Sequence, residues 1–168
     1  KDPQTASIFG DGAAAVCVEK GDDRDGPGLI SRCFETYGEG KDLATLRSGG
    51  TRIRVEDGFD ALVEGSHFQM DAFGIFKAAA RSLPIIIDKV LGEAGLTRET
   101  VDLVVCHQAS QPGVEHVRRL MGGDPARVID LFATVGNQIA ASLPSMLVEA
   151  HATGRLKPGT SVLLLGTA

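Results

Sequence analysis

The alternation of strands and helices in this chain is centred on the stretch Val101-Asp102-Leu103-Val104-Val105-Cys106-His107. A short apolar run bounded by polar residues is typical of a buried strand, and this one places His107 at its carboxyl end. Similar runs follow at Val128–Leu131 and Val162–Leu165. Helical patterns separate the three runs, so the order predicts an α/β layered sheet with crossover connections.

The helices between these strands are predicted from their start and stop signals. Ser110 is a suitable N-cap for the first helix, Pro112 falls in its tolerant first turn, and Gly122-Gly123 ends it. A second helix is predicted from about Ala140 to Ala152, before the last strand, with Leu143, Leu147 and Ala150 on its inward face.

A long amphipathic helix is predicted upstream, from Asp71 to Ala94. Asp71 is a plausible N-cap and Gly95 a plausible stop, whereas Pro84 predicts a kink or a break into two helices. Apolar residues recur along one face at steps of four and three: Phe76, Ala80, Leu83, Ile87, Val90 and Ala94.

The first third of the chain predicts a β-hairpin followed by a loop. A strand from Ser7 to Glu19, around the turn Gly10-Asp11-Gly12, would pair with a strand from about Leu29 to Tyr37. An apolar strand pattern follows the glycines instead of a helix, which excludes a dinucleotide-binding loop. The glycine-rich and charged stretch Gly38–Gly65 is predicted to be a long loop.

The composition is that of a soluble globular protein. The chain has 168 residues, 43% hydrophobic and 23% charged, with a formal net charge of −5 and scattered basic residues, which argues against a nucleic-acid partner. No stretch has the roughly 20 apolar residues of a membrane helix. Three cysteines without metal spacing predict no disulfide framework, no metal site and a cytoplasmic location.

His107 and Asn137 are the residues most suited to chemistry. Both are predicted in strand-to-helix loops, where ligands collect in open α/β sheets. An imidazole and an amide can donate hydrogen bonds to a developing oxyanion, which points to carbonyl or thioester chemistry. Taken singly, His107 could simply close a strand and Gly136-Asn137 could simply form a turn.

Four motifs in order resemble a known family. They are Phe9-Gly10-Asp11-Gly12-Ala13, Cys106-His107-Gln108-Ala109-Ser110, Gly136-Asn137 with Ala140-Ala141-Ser142, and Gly154-Arg155-Leu156-Lys157-Pro158-Gly159. The series resembles the C-terminal half of 3-oxoacyl-(acyl-carrier-protein) synthase III, of the thiolase-like superfamily. The resemblance implies a mixed sheet flanked by helices. It implies as well that residues 1–168 are a single C-terminal domain, a fragment of a longer protein whose last strand is missing.

The resemblance also implies a decarboxylative Claisen condensation in fatty acid or polyketide-type biosynthesis. A cysteine in the missing N-terminal half would take an acyl group from acyl-CoA, and a malonyl thioester on acyl carrier protein would then lose carbon dioxide. His107 and Asn137 would hold the resulting enolate oxygen. The complete protein would be a cytoplasmic homodimeric acyltransferase that uses coenzyme A and carrier thioesters as substrates and no cofactor, while the fragment alone would be inactive.

The resemblance further implies substrate-binding roles for Phe76, Ala109, Ser110 and Gly136, although a lone aromatic on an apolar helix face favours a core position for Phe76. The chain departs from many relatives at Ser110-Gln111-Pro112, where they have an asparagine and then an arginine two positions later, and at Gln138-Ile139, where smaller residues are common. These departures leave open a different acyl carrier and a different pocket shape.

The remaining polar candidates favour structural roles. Cys106 is expected in the core, Arg118 and Arg119 on a solvated helix face unless they meet a carrier protein or a coenzyme A phosphate, and His67, His116 and His151 at surface or structural positions. Two other functions stay open: an acyltransferase or hydrolase that does not decarboxylate, and a catalytically inactive structural partner.

Overall fold

The computed structural model describes residues 3–21 and 26–167. Its helices are α1 (Pro3–Ile8), α2 (Phe59–Gly65), α3 (Ala72–Glu93), α4 (Gln111–Leu120), α5 (Phe132–Val135) and α6 (Ser142–Ala152). Its strands are β1 (Ala44–Thr45), β2 (Gln69–Met70), β3 (Leu103–Cys106) and β4 (Val162–Leu165). The chain divides into two compact units, one of residues up to 7 and 35–82, the other of residues 8–34 and 83–168.

The first unit is built around a small antiparallel pair, β1 with β2, in which Ala44 faces Met70. The predicted loop Gly38–Gly65 is wrong in part, because this stretch contains β1, two short 3₁₀ turns and α2. Two of its glycines lie at the ends of α2 and do not interrupt it. Gly58 precedes the helix with φ +95°, and Gly65 is its last residue. Ser48 then fixes the end of α2, because its hydroxyl donates to the carbonyl of Leu62 at 2.7 Å.

The long helix α3 begins and ends where the sequence predicts. Asp71 caps it by accepting a hydrogen bond from the Gly74 N–H at 2.9 Å. At the other end, Gly95 adopts φ +69° and the Leu96 N–H donates to the Leu91 carbonyl, the bond that closes a glycine-terminated helix. The predicted break at Pro84 does not occur: α3 is continuous, because proline removes only one helical donor, and burial of Leu83, Ile87 and Leu91 stabilises the helix.

The second unit holds the parallel sheet. Strand β3 pairs with β4 from Leu103 opposite Val162 to Cys106 opposite Leu165, and every residue of β3 is buried. The predicted strand Val128–Leu131 is reduced to one isolated parallel bridge between Val128 and Val104. One hydrogen bond, from Ile129 N–H to the Val104 carbonyl, follows that bridge, and the chain then turns into α5.

Helix α6 covers one face of this sheet, beginning at Ser142 after a 3₁₀ turn over Ile139–Ala141. The core cluster formed there consists of Leu103, Val105, Ile129, Met146 and Ala150, with Leu131, Val135, Leu143, Leu147, Leu156 and Val162 packed around it. The predicted inward face of α6 is therefore confirmed, since Leu143, Leu147 and Ala150 all contribute to this packing.

The predicted hairpin of Ser7–Glu19 with Leu29–Tyr37 is wrong. Residues 3–8 form α1, Phe9 makes an isolated parallel bridge with Asn137, and residues 10–21 and 29–37 have no strand. Apolar residues predict a strand only where a neighbouring strand can satisfy the backbone. Val18 and Phe34 are instead 88% and 90% exposed. Part of the polar break between the two segments, residues 22–25, lies outside the described residues.

No helix in the described part of the chain is both long enough and apolar enough to cross a membrane.

Candidate active site

His107 lies directly beyond the carboxyl end of β3. Its backbone N–H donates to the Leu165 carbonyl at 2.7 Å, which continues the hydrogen bonding between β3 and β4 and fixes where the side chain starts. Partial burial lowers the pKa of His107, and a hydrogen bond with the backbone of Ile139 acts in the opposite direction. The Ile139 backbone therefore favours the protonated form of the ring, while burial favours the neutral form.

Asn137 is held by its backbone against the segment that follows α1. The Asn137 N–H donates to the Ile8 carbonyl at 2.8 Å, and the Asn137 carbonyl accepts from the Gly10 N–H at 3.0 Å. The side chain is 5% exposed, and its Oδ1 accepts from the Ile139 N–H at 2.9 Å. Because the oxygen of the amide is used in this way, Nδ2 is the end that can donate to a substrate.

Two glycines permit this close approach of segments. A Cβ on Gly10 would overlap the carbonyl oxygen of Val135. Gly136 has φ +66°, and a Cβ there would lie 2.9 Å from the Ile8 carbonyl oxygen. The Phe9-Gly10 and Gly136-Asn137 motifs are therefore parts of one crossing of two backbones, and this crossing places Asn137.

Ile139 connects the two candidate catalytic residues. Its N–H donates to the Asn137 side chain, and its backbone raises the pKa of the His107 ring. Its φ is +53°, a left-handed value that a β-branched residue rarely adopts, and its side chain is 55% exposed. The structure thus brings His107 and Asn137 together through the backbone of a single residue.

Gln108 is a positioning residue that the sequence pattern does not reveal. It is fully buried, its Nε2 donates to the Ile129 carbonyl at 2.8 Å, and its Oε1 accepts from the Leu131 N–H at 2.9 Å. It therefore joins the loop that carries His107 to the segment that leads through α5 to Asn137. The available signal was a glutamine directly after a buried strand, a position at which an amide must find backbone partners.

Gln138 joins the loop that carries Asn137 to the glycine turn at residues 10–12. Its Nε2 donates to the Asp11 carbonyl at 2.9 Å, and its side chain lies where a Cβ on Gly12 would have to be. The turn Gly10-Asp11-Gly12 is therefore a support for the Asn137 loop.

The other predicted binding residues are placed as follows. Ser110 caps α4, since its hydroxyl accepts from the Gly113 N–H at 3.2 Å, and Ala109 is half-buried just before it. Gly136 lies in the backbone crossing. Phe76 is half-buried on α3 in the first unit. Substrate contacts for these four residues remain predictions.

Cys106 is a core residue, as predicted. It is 2% exposed, and burial together with the nearby Asp130 carboxylate raises the pKa of its thiol to about 11. A thiol of that acidity is not a thiolate at neutral pH, so Cys106 is unsuited to act as a nucleophile.

Arg118 belongs to an internal network. It pairs with Glu115 at 2.5 Å and with Asp130 at 3.2 Å, and Asp130 also accepts hydrogen bonds from the Gln111 side chain and the Phe132 N–H. The prediction of a solvated side chain is therefore wrong for Arg118, which is 19% exposed because Glu115 and Asp130 hold it against the protein. Arg119 is exposed.

The other histidines lie away from any metal-like group. His67 and His151 are exposed and His116 is half-buried. Within residues 3–21 and 26–167, no three His, Cys, Asp or Glu side chains are grouped so that they could hold a metal ion.

Comparison with known proteins finds a matching family. Residues 91–168 match the family described as 3-Oxoacyl-[acyl-carrier-protein (ACP)] synthase III C terminal. A beta-ketoacyl-[acyl-carrier-protein] synthase III of Nitratidesulfovibrio vulgaris strain DP4 is 36% identical over 166 residues, which are 98% of this chain and 50% of that protein. A protein of the same name from Clostridium tetani is 29% identical over 99% of the chain and 51% of its own length.

Solved structures agree. The 3-oxoacyl-(acyl carrier protein) synthase III of Pseudomonas aeruginosa PAO1 matches with a TM-score of 0.84 and 26% identity, over 99% of this chain and 49% of that one. The synthase III of Thermus thermophilus matches with a TM-score of 0.79 and 29% identity, over 99% and 50%. Residues 91–168 therefore match the C-terminal domain of 3-oxoacyl-(acyl-carrier-protein) synthase III, the chain has the thiolase-like α/β fold of these structures, and it spans about half the length of the relatives that it matches.

Proposed function

We propose that the protein containing this chain is an acyltransferase that condenses an acyl-CoA with a malonyl thioester, with loss of carbon dioxide, in fatty acid or polyketide-type biosynthesis. The observation that carries the proposal is the hydrogen bond by which the Ile139 N–H fixes the Asn137 side chain, beside a His107 ring whose pKa the same backbone raises. Two polar side chains beside one residue can serve a single substrate oxygen. The names of the matched relatives supply the substrate class, an acyl group on acyl carrier protein.

The chemistry divides into acylation and condensation. A cysteine thiolate outside this chain attacks the acyl-CoA thioester and releases coenzyme A. The malonyl thioester then loses carbon dioxide, and the electron pair of the broken C–C bond forms an enolate. Asn137 Nδ2 donates to the enolate oxygen. The enolate carbon attacks the acyl-cysteine carbonyl, the cysteine sulfur leaves as a thiolate, and a 3-oxoacyl thioester forms.

The protonation of His107 fits this sequence of steps. In the free protein burial favours the neutral ring, and the Ile139 backbone favours the protonated ring. A bound malonyl carboxylate, and then the enolate, places negative charge beside the ring and favours its protonated form. The protonated ring carries a proton on both nitrogens, so one of them can donate to the substrate oxygen.

The partners of the proposed enzyme follow from the same reasoning. Half-length coverage of the relatives supports a longer protein, with this chain as its C-terminal domain and the nucleophilic cysteine in its other half. Acyl-CoA and acyl carrier protein would be its substrates, and no cofactor is needed for the steps above. A cytoplasmic homodimer without nucleic-acid or membrane partners completes the proposal.

The test separates the two steps in the full-length protein. Radiolabelled acyl-CoA should give a protein-bound acyl group in the wild type, in His107→Ala and in Asn137→Ala. Malonyl-dependent release should fall by about 10²–10³-fold in each variant, whereas His151→Ala, which changes an exposed histidine on α6, should match the wild type.

Two outcomes would contradict the proposal. Failure of the wild type to form an acyl-enzyme with any donor would indicate an inactive partner protein. Release to an oxygen or nitrogen nucleophile without malonyl consumption would indicate a non-decarboxylating acyltransferase or a hydrolase.

A further inference from the structure

Ile139 combines a strained backbone with an exposed side chain. Among residues 3–21 and 26–167 it is the non-glycine residue with a positive φ, +53°. A left-handed conformation is unfavourable for a β-branched residue, and Ile139 is 55% exposed, so burial of its side chain does little to offset that cost. A strained residue of this kind is maintained by other interactions, and it points to a functional constraint.

The interaction that maintains it is the hydrogen bond from the Ile139 N–H to Asn137 Oδ1, at 2.9 Å. The Ile139 backbone also lies beside the His107 ring, whose pKa it raises. With the negative φ of a strand or a right-handed helix, the N–H and the carbonyl of Ile139 would point in other directions. The left-handed conformation is therefore what allows one residue to contact both side chains.

We propose that Ile139 is a positioning residue, whose left-handed backbone holds the Asn137 amide and the His107 imidazole so that both reach the same substrate oxygen. The inference deepens the proposed condensation and rests on it for its activity measurement. Ile139 itself touches no reacting atom in this scheme; it acts through the orientation of the other two residues.

Three variants of the full-length protein separate backbone geometry from side-chain packing. Ile139→Gly keeps the N–H and adopts a positive φ at no steric cost. Ile139→Pro removes the N–H and fixes φ near −65°. Replacement of Ile139 by its α-hydroxy acid analogue, which forms a backbone ester, removes the N–H alone and leaves the side chain in place. Ala140→Gly is the matched control, because Ala140 is exposed in the same 3₁₀ turn.

Malonyl-dependent release should decrease by at least about 100-fold in Ile139→Pro and by about tenfold in the ester variant. It should stay within about fivefold of the wild type in Ile139→Gly, since a tenfold loss would correspond to a whole hydrogen bond. Formation of the acyl-enzyme should be equal in all of them, because it does not use the enolate site. If Ile139→Pro loses its cooperative thermal transition, the ester variant decides the question.

A second measurement is independent of activity. The ¹⁵N resonances of the neutral His107 ring should show one protonated and one unprotonated nitrogen in the wild type, Ile139→Gly and Ala140→Gly, and an average of two tautomers in Ile139→Pro. If the wild type forms no acyl-enzyme, the proposed condensation fails while this comparison still tests Ile139. Unchanged release in both the proline and ester variants, or an unchanged tautomer in Ile139→Pro, would overturn the inference.

Discussion

The side-chain oxygen of Asn137 accepts a hydrogen bond of 2.9 Å from the backbone N–H of Ile139. This bond fixes which end of the amide faces Ile139 and which end is left for a substrate. It also means that the two ends of the Asn137 amide have separable roles, one in the structure and one in the proposed reaction.

Asn137→Asp should separate these roles. The carboxylate can still accept from Ile139 but cannot donate, and its charge repels an enolate, so we expect malonyl-dependent release to decrease by at least about 10³-fold. The free energy of unfolding should fall by about 1–3 kcal/mol, because the buried carboxylate keeps its bond to Ile139 but loses hydration. Release and thermal unfolding of the same preparation check both expectations. Activity near that of the wild type would show that Nδ2 is not the donor.

His107 should link malonyl binding to pH. Burial holds the pKa of the free ring below its ordinary value, and a bound malonyl anion raises it, so binding takes up a proton. The affinity for the malonyl thioester should therefore increase as pH falls from the pKa of His107 in the complex to its pKa in the free protein. Outside this window the affinity should not depend on pH. The KM for the malonyl thioester, measured across this range, should show the slope in the wild type and none in His107→Gln. A slope that persists in the variant would assign the proton to another group.

The backbone crossing predicts a difference between two Gly→Ala changes. A Cβ at Gly10 would overlap the Val135 carbonyl, whereas one at Gly28 meets no atom within 4 Å. Gly10→Ala should therefore destabilise the protein by about 1–3 kcal/mol and reduce malonyl-dependent release through displacement of Asn137. Gly28→Ala should be neutral or slightly stabilising. Thermal unfolding of both variants gives the comparison, and equal melting temperatures would mean that the crossing can relax.

Gln108 should matter far more than its neighbour Gln111. Gln108→Ala leaves the Ile129 carbonyl and the Leu131 N–H without their partner, which costs about 2–4 kcal/mol. Gln111 is exposed and bonds only Asp130 among the contacts described, so Gln111→Ala should cost less than about 1 kcal/mol. Denaturant unfolding measures both, and a similar loss in the two variants would contradict the role given to Gln108.

Ser110 offers a test of a cap at a position where the chain departs from many relatives. Ser110→Ala removes the acceptor for the Gly113 N–H and should cost about 1 kcal/mol, whereas Ser110→Asn should keep the cap and the stability. If carrier recognition depends on this residue, Ser110→Asn will change the KM for the malonyl carrier without changing the melting temperature. Loss of stability in Ser110→Asn would show that the hydroxyl does more than cap α4.

Local signals were enough to predict the elements around the site. Asp71, Ser110, Gly95 and Gly122 mark helix ends through bonds and dihedral angles that depend on a few adjacent residues. The buried strand at Leu103–Cys106 was equally predictable, because it is apolar along its whole length.

Contacts between distant segments could not be predicted from the pattern. The residues around Val18 and Phe34 include the apolar residues of a strand, but pairing depends on a partner that no local pattern specifies. The bridge between Phe9 and Asn137, the Gln108 contacts and the left-handed Ile139 all depend on segments that meet only in the folded chain. The identities of His107 and Asn137 were predicted from the sequence, whereas what orients them was not.

The crossing at Gly10 and Gly136 also limits how this protein can be engineered. At both glycines, the atom that an added Cβ would meet is a main-chain carbonyl oxygen. It is that of Val135 for Gly10 and that of Ile8 for Gly136. A larger residue at either position cannot be rescued by trimming a neighbouring side chain, because the obstacle is present whatever the neighbour's identity. A second mutation in a neighbouring side chain therefore cannot compensate for a larger residue at either site. A directed-evolution library aimed at new acyl substrates should keep both glycines constant.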